Sequence, residues 1–391
     1  MERVRPGLYR DRNLLIIYGV SLMVILGVSS VMPTLPLLME RFDVEAAGVG
    51  WVMSAFTLPG VVFALIAAVA ADRFGRKRTL VAALIVFGLF GTACAFARTY
   101  PQLLAFRLLQ GMGAGPLGVL NATILGDLYE GRERSAAMGY LAATLAFGTA
   151  FFPALGGWLA GLGWHFPFFL PALALPLALV TALFLKNPEP GGRETFGRYL
   201  RRAAQTVSRG RTLLVLGMSL LTFIVLYGPY VTYMPILMSM KFGSTAAGIG
   251  NMALCVAAAM ALASSQAGRL AARFGQRALL FGALVLFLGS MAGMPLAPSP
   301  AWLSIPLALF GAAEGVYLPA MLTMLAGLAP AEQRAVVMAV NGMILRLGQT
   351  LAPLLTGAAF AFGGLGAVYG LGGAACLVMF FLAVRLPRDR F

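Results

Sequence analysis

The chain has 391 residues, of which 60% are hydrophobic and 11% charged. A water-soluble domain carries about 25% charged residues, so this chain cannot cover itself with polar surface, and lipid must be its solvent. Its formal charge of +15 would suit nucleic acid, but the basic residues are placed in a way that argues for a membrane instead.

Apolar stretches of about 20 residues, each enough for one helical crossing, recur along the whole length. Twelve are counted, centred near residues 26, 60, 88, 114, 147, 175, 225, 258, 287, 314, 347 and 375. The predicted fold is therefore an all-α polytopic membrane protein of twelve helices. The run from Leu14 to about Met39 follows four arginines and imitates a signal peptide. It is too long for a signal's apolar core and has no clear small-residue cleavage site, so it reads as the first helix. Of the 29 Lys and Arg, 24 fall in the terminal segments and every second loop. Arg41, Arg98 and Lys241 fall in the other loops, and Arg107 and Arg346 lie inside helices. Basic loops mark the cytoplasmic side, so both termini are expected in the cytoplasm and the high pI reports topology and contact with anionic lipid.

The two halves match at an offset of 200 residues. Arg73-Phe74-Gly75 recurs as Arg273-Phe274-Gly275, Gly111 pairs with Gly311, Pro153 with Pro353 and Gly157 with Gly357. Two copies of a six-helix unit in an apolar chain are a signature of transporters whose halves rock about a central site. The expected halves are 1–186 and 212–391, joined by a linker, 187–211. In that linker, Phe196, Tyr199 and the neighbouring arginines suit either a short amphipathic helix on the inner leaflet or a flexible tether.

Several short strings carry chemistry. Asp72-Arg73-Phe74-Gly75-Arg76 lies between the second and third spans, and Asp127 ends the fourth. Arg107, Gln110 and Asn121 share a face of the fourth span. A charge at that depth is a functional candidate, the alternative being an arginine that snorkels to the external interface. The fifth span contains Gly148, Pro153, Gly156 and Gly157, whose small residues suit close helix packing in any case. Phe223, Tyr227, Tyr230 and Met234 form a stripe on the seventh span, and Phe310, Glu314, Tyr317 and Met321 one on the tenth. Glu314 is the acid lying deep in an apolar span, and burial would favour its protonated form. Glu314 is 17 residues before the turn near Ala331 and Arg346 is 15 after it. At roughly 1.5 Å per residue both stand about 23–26 Å from the turn, so they are expected to be able to pair, either as a proton switch or as a static brace. Gln349, Asn251 and Asn341 are further polar candidates. His165, beside Trp164 and Phe166, reads as an interfacial anchor.

The loop string around Asp72, the Arg107–Gly113 string and the fifth-span Gly/Pro string resemble motifs of the major facilitator superfamily, in its twelve-helix drug:proton antiporter branch. The resemblance covers nearly the whole chain and implies several roles. Asp72, Arg73, Gly75, Arg76 and Asp127 would form a conformational latch, with Asp72 meeting the start of the eleventh helix near Glu332. Arg107 would take part in proton transfer. Gly148, Pro153, Gly156 and Gly157 would be the antiporter motif, which departs from the family at Phe152, where a glycine is expected. Helices 1, 4, 7 and 10 would line the cavity. Leu345–Pro353 resembles the eleventh helix of bacillibactin-type exporters.

One histidine, three unpaired cysteines in separate spans and no nucleophile with a nearby base argue against a metal site, a cofactor or an enzyme. The expected function is proton-coupled export of amphipathic small molecules across a bacterial inner membrane by a monomer. Proton coupling is assigned to Glu314, Arg346 and Arg107, and the substrate cavity to Gln110, Asn121, Tyr227, Tyr230, Met234, Phe310, Tyr317 and Gln349. Uptake or facilitated passage by the same fold, and a dedicated siderophore or metabolite exporter, are the alternatives.

Overall fold

The computed structural model describes residues 8–186, 210–328 and 334–386, and no strand occurs among them. The linker 187–209 and Glu332 lie outside the described residues, as does the side chain of Asp72. The helices long and apolar enough to cross a bilayer are α1 (Arg12–Phe42), α2 (Trp51–Phe74), α3 (Arg76–Ala93), α4 (Tyr100–Leu128), α5 (Gly131–Leu162), α6 (Phe166–Phe184), α7 (Thr212–Phe242), α8 (Ala246–Phe274), α9 (Gln276–Leu296) and α10 (Pro300–Leu328). The last helical stretch runs from Arg334 to Val384, 51 residues. That is about 75 Å of helix, more than twice the roughly 30 Å apolar thickness of a bilayer. It breaks where Gly363 takes φ −155°, ψ 25° and Gly364 takes φ 61°, ψ −154°. The break divides it into α11 (334–362) and α12 (365–384), which completes twelve crossings.

Local chemistry sets the ends. The Asp11 carboxylate accepts from the N–H groups of Asn13 and Leu14 at 2.8 and 3.4 Å and caps α1. The Thr99 and Thr245 hydroxyls accept from Gln102 and Gly248 and cap α4 and α8 in the same way. Large apolar side chains stay exposed along α2 (Leu58, Val62, Ile66), α5 (Trp158, Leu162) and α12 (Leu377, Phe381). In water such a surface would drive association; in a bilayer it is solvated. The chain is a multi-pass membrane protein.

The described residues fall into two compact units. One carries the elements from Leu8 to Val44 and from Trp51 to Phe184. The other carries Glu45–Gly50 and the elements from Gly210 onward. The internal repeat is visible at the backbone. Asp43 and Gly243 both take left-handed conformations after their helices, with φ 51° and 61°. In the first unit α4 crosses α2 so closely that a Cβ on Gly111 would lie 2.2 Å from the Phe56 carbonyl oxygen. In the second, α10 crosses α8 so that a Cβ on Gly311 would lie 2.1 Å from the Val256 carbonyl oxygen. Both crossings demand glycine, at positions 200 apart.

Candidate functional site

In the first unit the central charge is Arg107 of α4, which is 0% exposed. Its Nε donates to the Val52 carbonyl at 3.2 Å, and its Nη1 donates to the Gly27 carbonyl at 2.9 Å and to Gln110 Oε1 at 2.8 Å. The guanidinium lies 4.3 Å from the centroid of the Phe56 ring, a cation–π contact in a desolvated setting. The Gly27 carbonyl is free to accept because α1 tightens there: Val31 N–H donates to Val28 rather than one turn back to Gly27. Arg107 thus ties α4 to α1 and α2 and does not snorkel outward. Its Nη2 and the Gln110 Nε2 are buried without a partner. Further along α4, Asn121 Nδ2 donates to Ser21 Oγ at 2.8 Å.

At the α2–α3 turn, Gly75 takes φ 92° and Arg73 lies over Phe74, 5.6 Å from the ring centroid. Arg76 forms an ion pair with Asp127 at the end of α4. In α5 the Gly/Pro string is a contact surface. A Cβ on Gly156 would stand 2.1 Å from the Ser30 carbonyl oxygen of α1, and one on Gly148 would meet the tip of Leu22 at 3.0 Å. Pro153 and Gly157 are buried in the same helix. His165 stacks on Phe166 at 4.5 Å and meets Trp164 edge-on.

The second unit gathers α7, α10 and α11. Glu314 is 7% exposed, and its Oε2 is buried without a hydrogen-bond partner. Tyr227 and Tyr230 of α7 lie within its electrostatic reach. Tyr230 stacks on Phe310 at 4.8 Å and Tyr227 on Phe223 at 5.9 Å. Arg346 of α11 is half-buried, and its Nη1 donates to Gln349 Oε1 at 3.2 Å. Tyr227 is within reach of Arg346 as well.

Glu314 and Arg346 do not form an ion pair in this structure, whereas Arg76 does with Asp127. Residue counting fixes depth along a helix, but direction around it depends on packing, and here Arg346 turns to Gln349. Of the residues assigned to the cavity, Gln110, Met234, Phe310 and Tyr317 are each 0% exposed in this structure. Tyr317 lies edge-on to Phe287 of α9, and its hydroxyl points to Met379 Sδ of α12 at 3.6 Å. Just before Met234, α7 takes a π-helical course from Leu226 to Tyr233. The wider turn adds a residue per cycle and rotates everything after it.

A sequence model of the Major Facilitator Superfamily matches residues 17–248 and 234–391. The chain belongs to the Major Facilitator Superfamily. Members of the Major Facilitator Superfamily are transporters rather than enzymes and act on small-molecule substrates. Among relatives, the chain is 32% identical over 164 residues to the Bacillibactin exporter of Bacillus subtilis (strain 168), covering 40% of this chain and 41% of that one. It is 29% identical over 161 residues to Multidrug resistance protein 2 of the same organism, covering 41% and 40%. The chain therefore spans about two fifths of the length of these relatives. Over 97% of its own length it is similar to a solved D-xylose-proton symporter, with a TM-score of 0.79, 16% identity and 98% of that chain covered, a likeness of fold alone.

The π turn was not anticipated, yet its signal was present in Gly228-Pro229. Proline has no N–H to return to the preceding turn, and π bulges gather at functional sites. Within the same turn the hydroxyl of Thr232 donates to the Tyr227 carbonyl at 2.7 Å.

Proposed function

We propose that this chain is a proton-coupled secondary transporter that exports amphipathic small molecules across a bacterial inner membrane by alternating access. It acts as a monomer with both termini in the cytoplasm. The observation that carries the reading is Glu314: a carboxyl group deep in an apolar helix, with an oxygen that no donor among the described residues meets. Such a group is held at a cost that a purely structural role does not explain. Among nearby aromatic faces it can give up its proton to one side and regain it from the other. Export is supported by the names of relatives, a bacillibactin exporter and a multidrug resistance protein.

In this reading Arg107 is a fixed positive brace for α1, α2 and α4. Arg73, Gly75, Arg76 and Asp127, with Asp72, form a latch at the basic loop. The Gly156 contact lets α5 and α1 move as one piece. The test uses inverted membrane vesicles with an imposed pH gradient and a panel of amphipathic dyes. Wild type should drive accumulation at the expense of the gradient, and Glu314→Gln should not. A Gln variant with full gradient-driven transport would refute the assignment. The second reading, uptake symport, is favoured by Phe152, which stands where the antiporter string carries glycine; inward co-movement of proton and cargo would establish it.

A further inference from the structure

Two ionisable groups of opposite sign lie in one half of this molecule, and neither has a charged partner among the described residues. Glu314 keeps an unpartnered oxygen. Arg346 has five N–H donors, and the bond it makes is with Gln349. Leaving both apart in an apolar unit forgoes the attraction that would offset their desolvation. The side chain of Tyr227 is within electrostatic reach of both, and Tyr227, Tyr230 and Arg346 are half-buried, so this face of the unit is not sealed.

We infer that Glu314 and Arg346 form a dipolar site for an aromatic zwitterion, whose ammonium meets Glu314 and whose carboxylate meets Arg346 while its ring lies on Tyr227 and Tyr230. The planar fork of arginine suits a carboxylate in two-point contact. The two tyrosines stack on Phe223 and Phe310 with interplanar angles of 20° and 26°, which fixes their planes before a ligand arrives. Residues 114 and 146, the counterparts of 314 and 346 in the first half, are both alanine. The site therefore belongs to one half only.

The assignment rests on the proton-exchange reading of Glu314 and deepens it. A proton and a ligand ammonium require the same carboxylate, so each displaces the other, as exchange across a membrane demands. Tyr227 and Tyr230 from α7 and Tyr317 of α10 lie within electrostatic reach of Glu314, with Arg346 from α11 near Tyr227 and Cys255 of α8 near Tyr230.

The test is calorimetric binding to the purified full chain in detergent with one ring in three charge forms: 3-(2-naphthyl)alanine, its carboxamide, and its N-acetyl derivative. The zwitterion should bind at least about tenfold more tightly than either single-charge form. Its affinity should fall as pH is lowered through the titration of Glu314. Arg346→Gln should reduce the zwitterion to the affinity of the carboxamide, with Arg346→Lys intermediate, and Glu314→Gln should reduce it to the affinity of the acetyl form and remove the pH dependence. Equal affinity for all three forms, or a carboxamide that binds as tightly as the zwitterion, overturns the assignment from wild type alone, whatever the variants do. If the zwitterion binds as stated but inverted vesicles move nothing against a pH gradient, this site stands and the transport reading fails. Gradient-driven transport with no preference among the charge forms removes the site and leaves the transport reading intact.

Discussion

The fourth helix of each half answers the same packing problem and differs in what it does with charge. α4 and α10 both place glycine against a neighbouring carbonyl, at Gly111 and Gly311. Arg107 of α4 is bonded to two backbone carbonyls and a glutamine, whereas its counterpart, Leu307, is apolar and fully buried. Ala114 of α4 is apolar, while its counterpart is Glu314 with an oxygen left over. Duplication preserved the contacts that set backbone spacing and let the ionisable groups diverge: one half ties its cation into the scaffold, and the other leaves a carboxyl oxygen without a partner among the described residues.

Substitution at the shared crossing should have the largest effect. Gly311→Ala and Gly111→Ala each set a methyl carbon about 2 Å from a backbone oxygen that cannot turn away. Each should cost about 3 kcal/mol or more, read as loss of monodisperse protein on gel filtration. Tolerance at one position with collapse at the other would break the equivalence of the halves. Arg107→Leu, which installs the residue found at the matching position, strands the Gly27 carbonyl and should lower stability by about 1–3 kcal/mol, measured by thermal unfolding in detergent. An unchanged midpoint would mean that this cation is not scaffold.

Glu314→Ala, the reciprocal exchange, should leave the unfolding midpoint equal or higher, because a desolvated acid is removed, while gradient-driven transport is lost. Stability bought back at the expense of function is the expected mark of a working group. Gly148→Ala should be mildest, within about 1 kcal/mol, since its methyl meets the flexible tip of Leu22. Gly156→Ala, aimed at the Ser30 carbonyl, should behave like the crossing glycines.

The crossings were legible because a bilayer enforces a minimum apolar length, and the duplication was legible because Gly75, Gly111 and their partners are held by backbone geometry. Arg107 was legible as a buried charge but not as a brace, because its partners are main-chain carbonyls of other helices, which no side-chain pattern reports. For Glu314 and Arg346, counting residues gave depth and could not give azimuth. The stripe on α7 assumed 3.6 residues per turn, whereas α7 is π-helical over Leu226–Tyr233 and does not keep that spacing. Arg76 and Asp127, brought together from the sequence by the family resemblance, form an ion pair between the start of α3 and the end of α4. Asp72 and the linker between the halves bear on side chains or residues outside those described.

The glycine corner at 363–364 has a mechanical consequence. With two residues between α11 and α12, neither helix can slide lengthwise without carrying the other in the same direction. Any rocking that displaces Arg346 is therefore transmitted to α12 as by a bent lever, and a peptide spliced into that corner would uncouple the two arms without touching a single charged group.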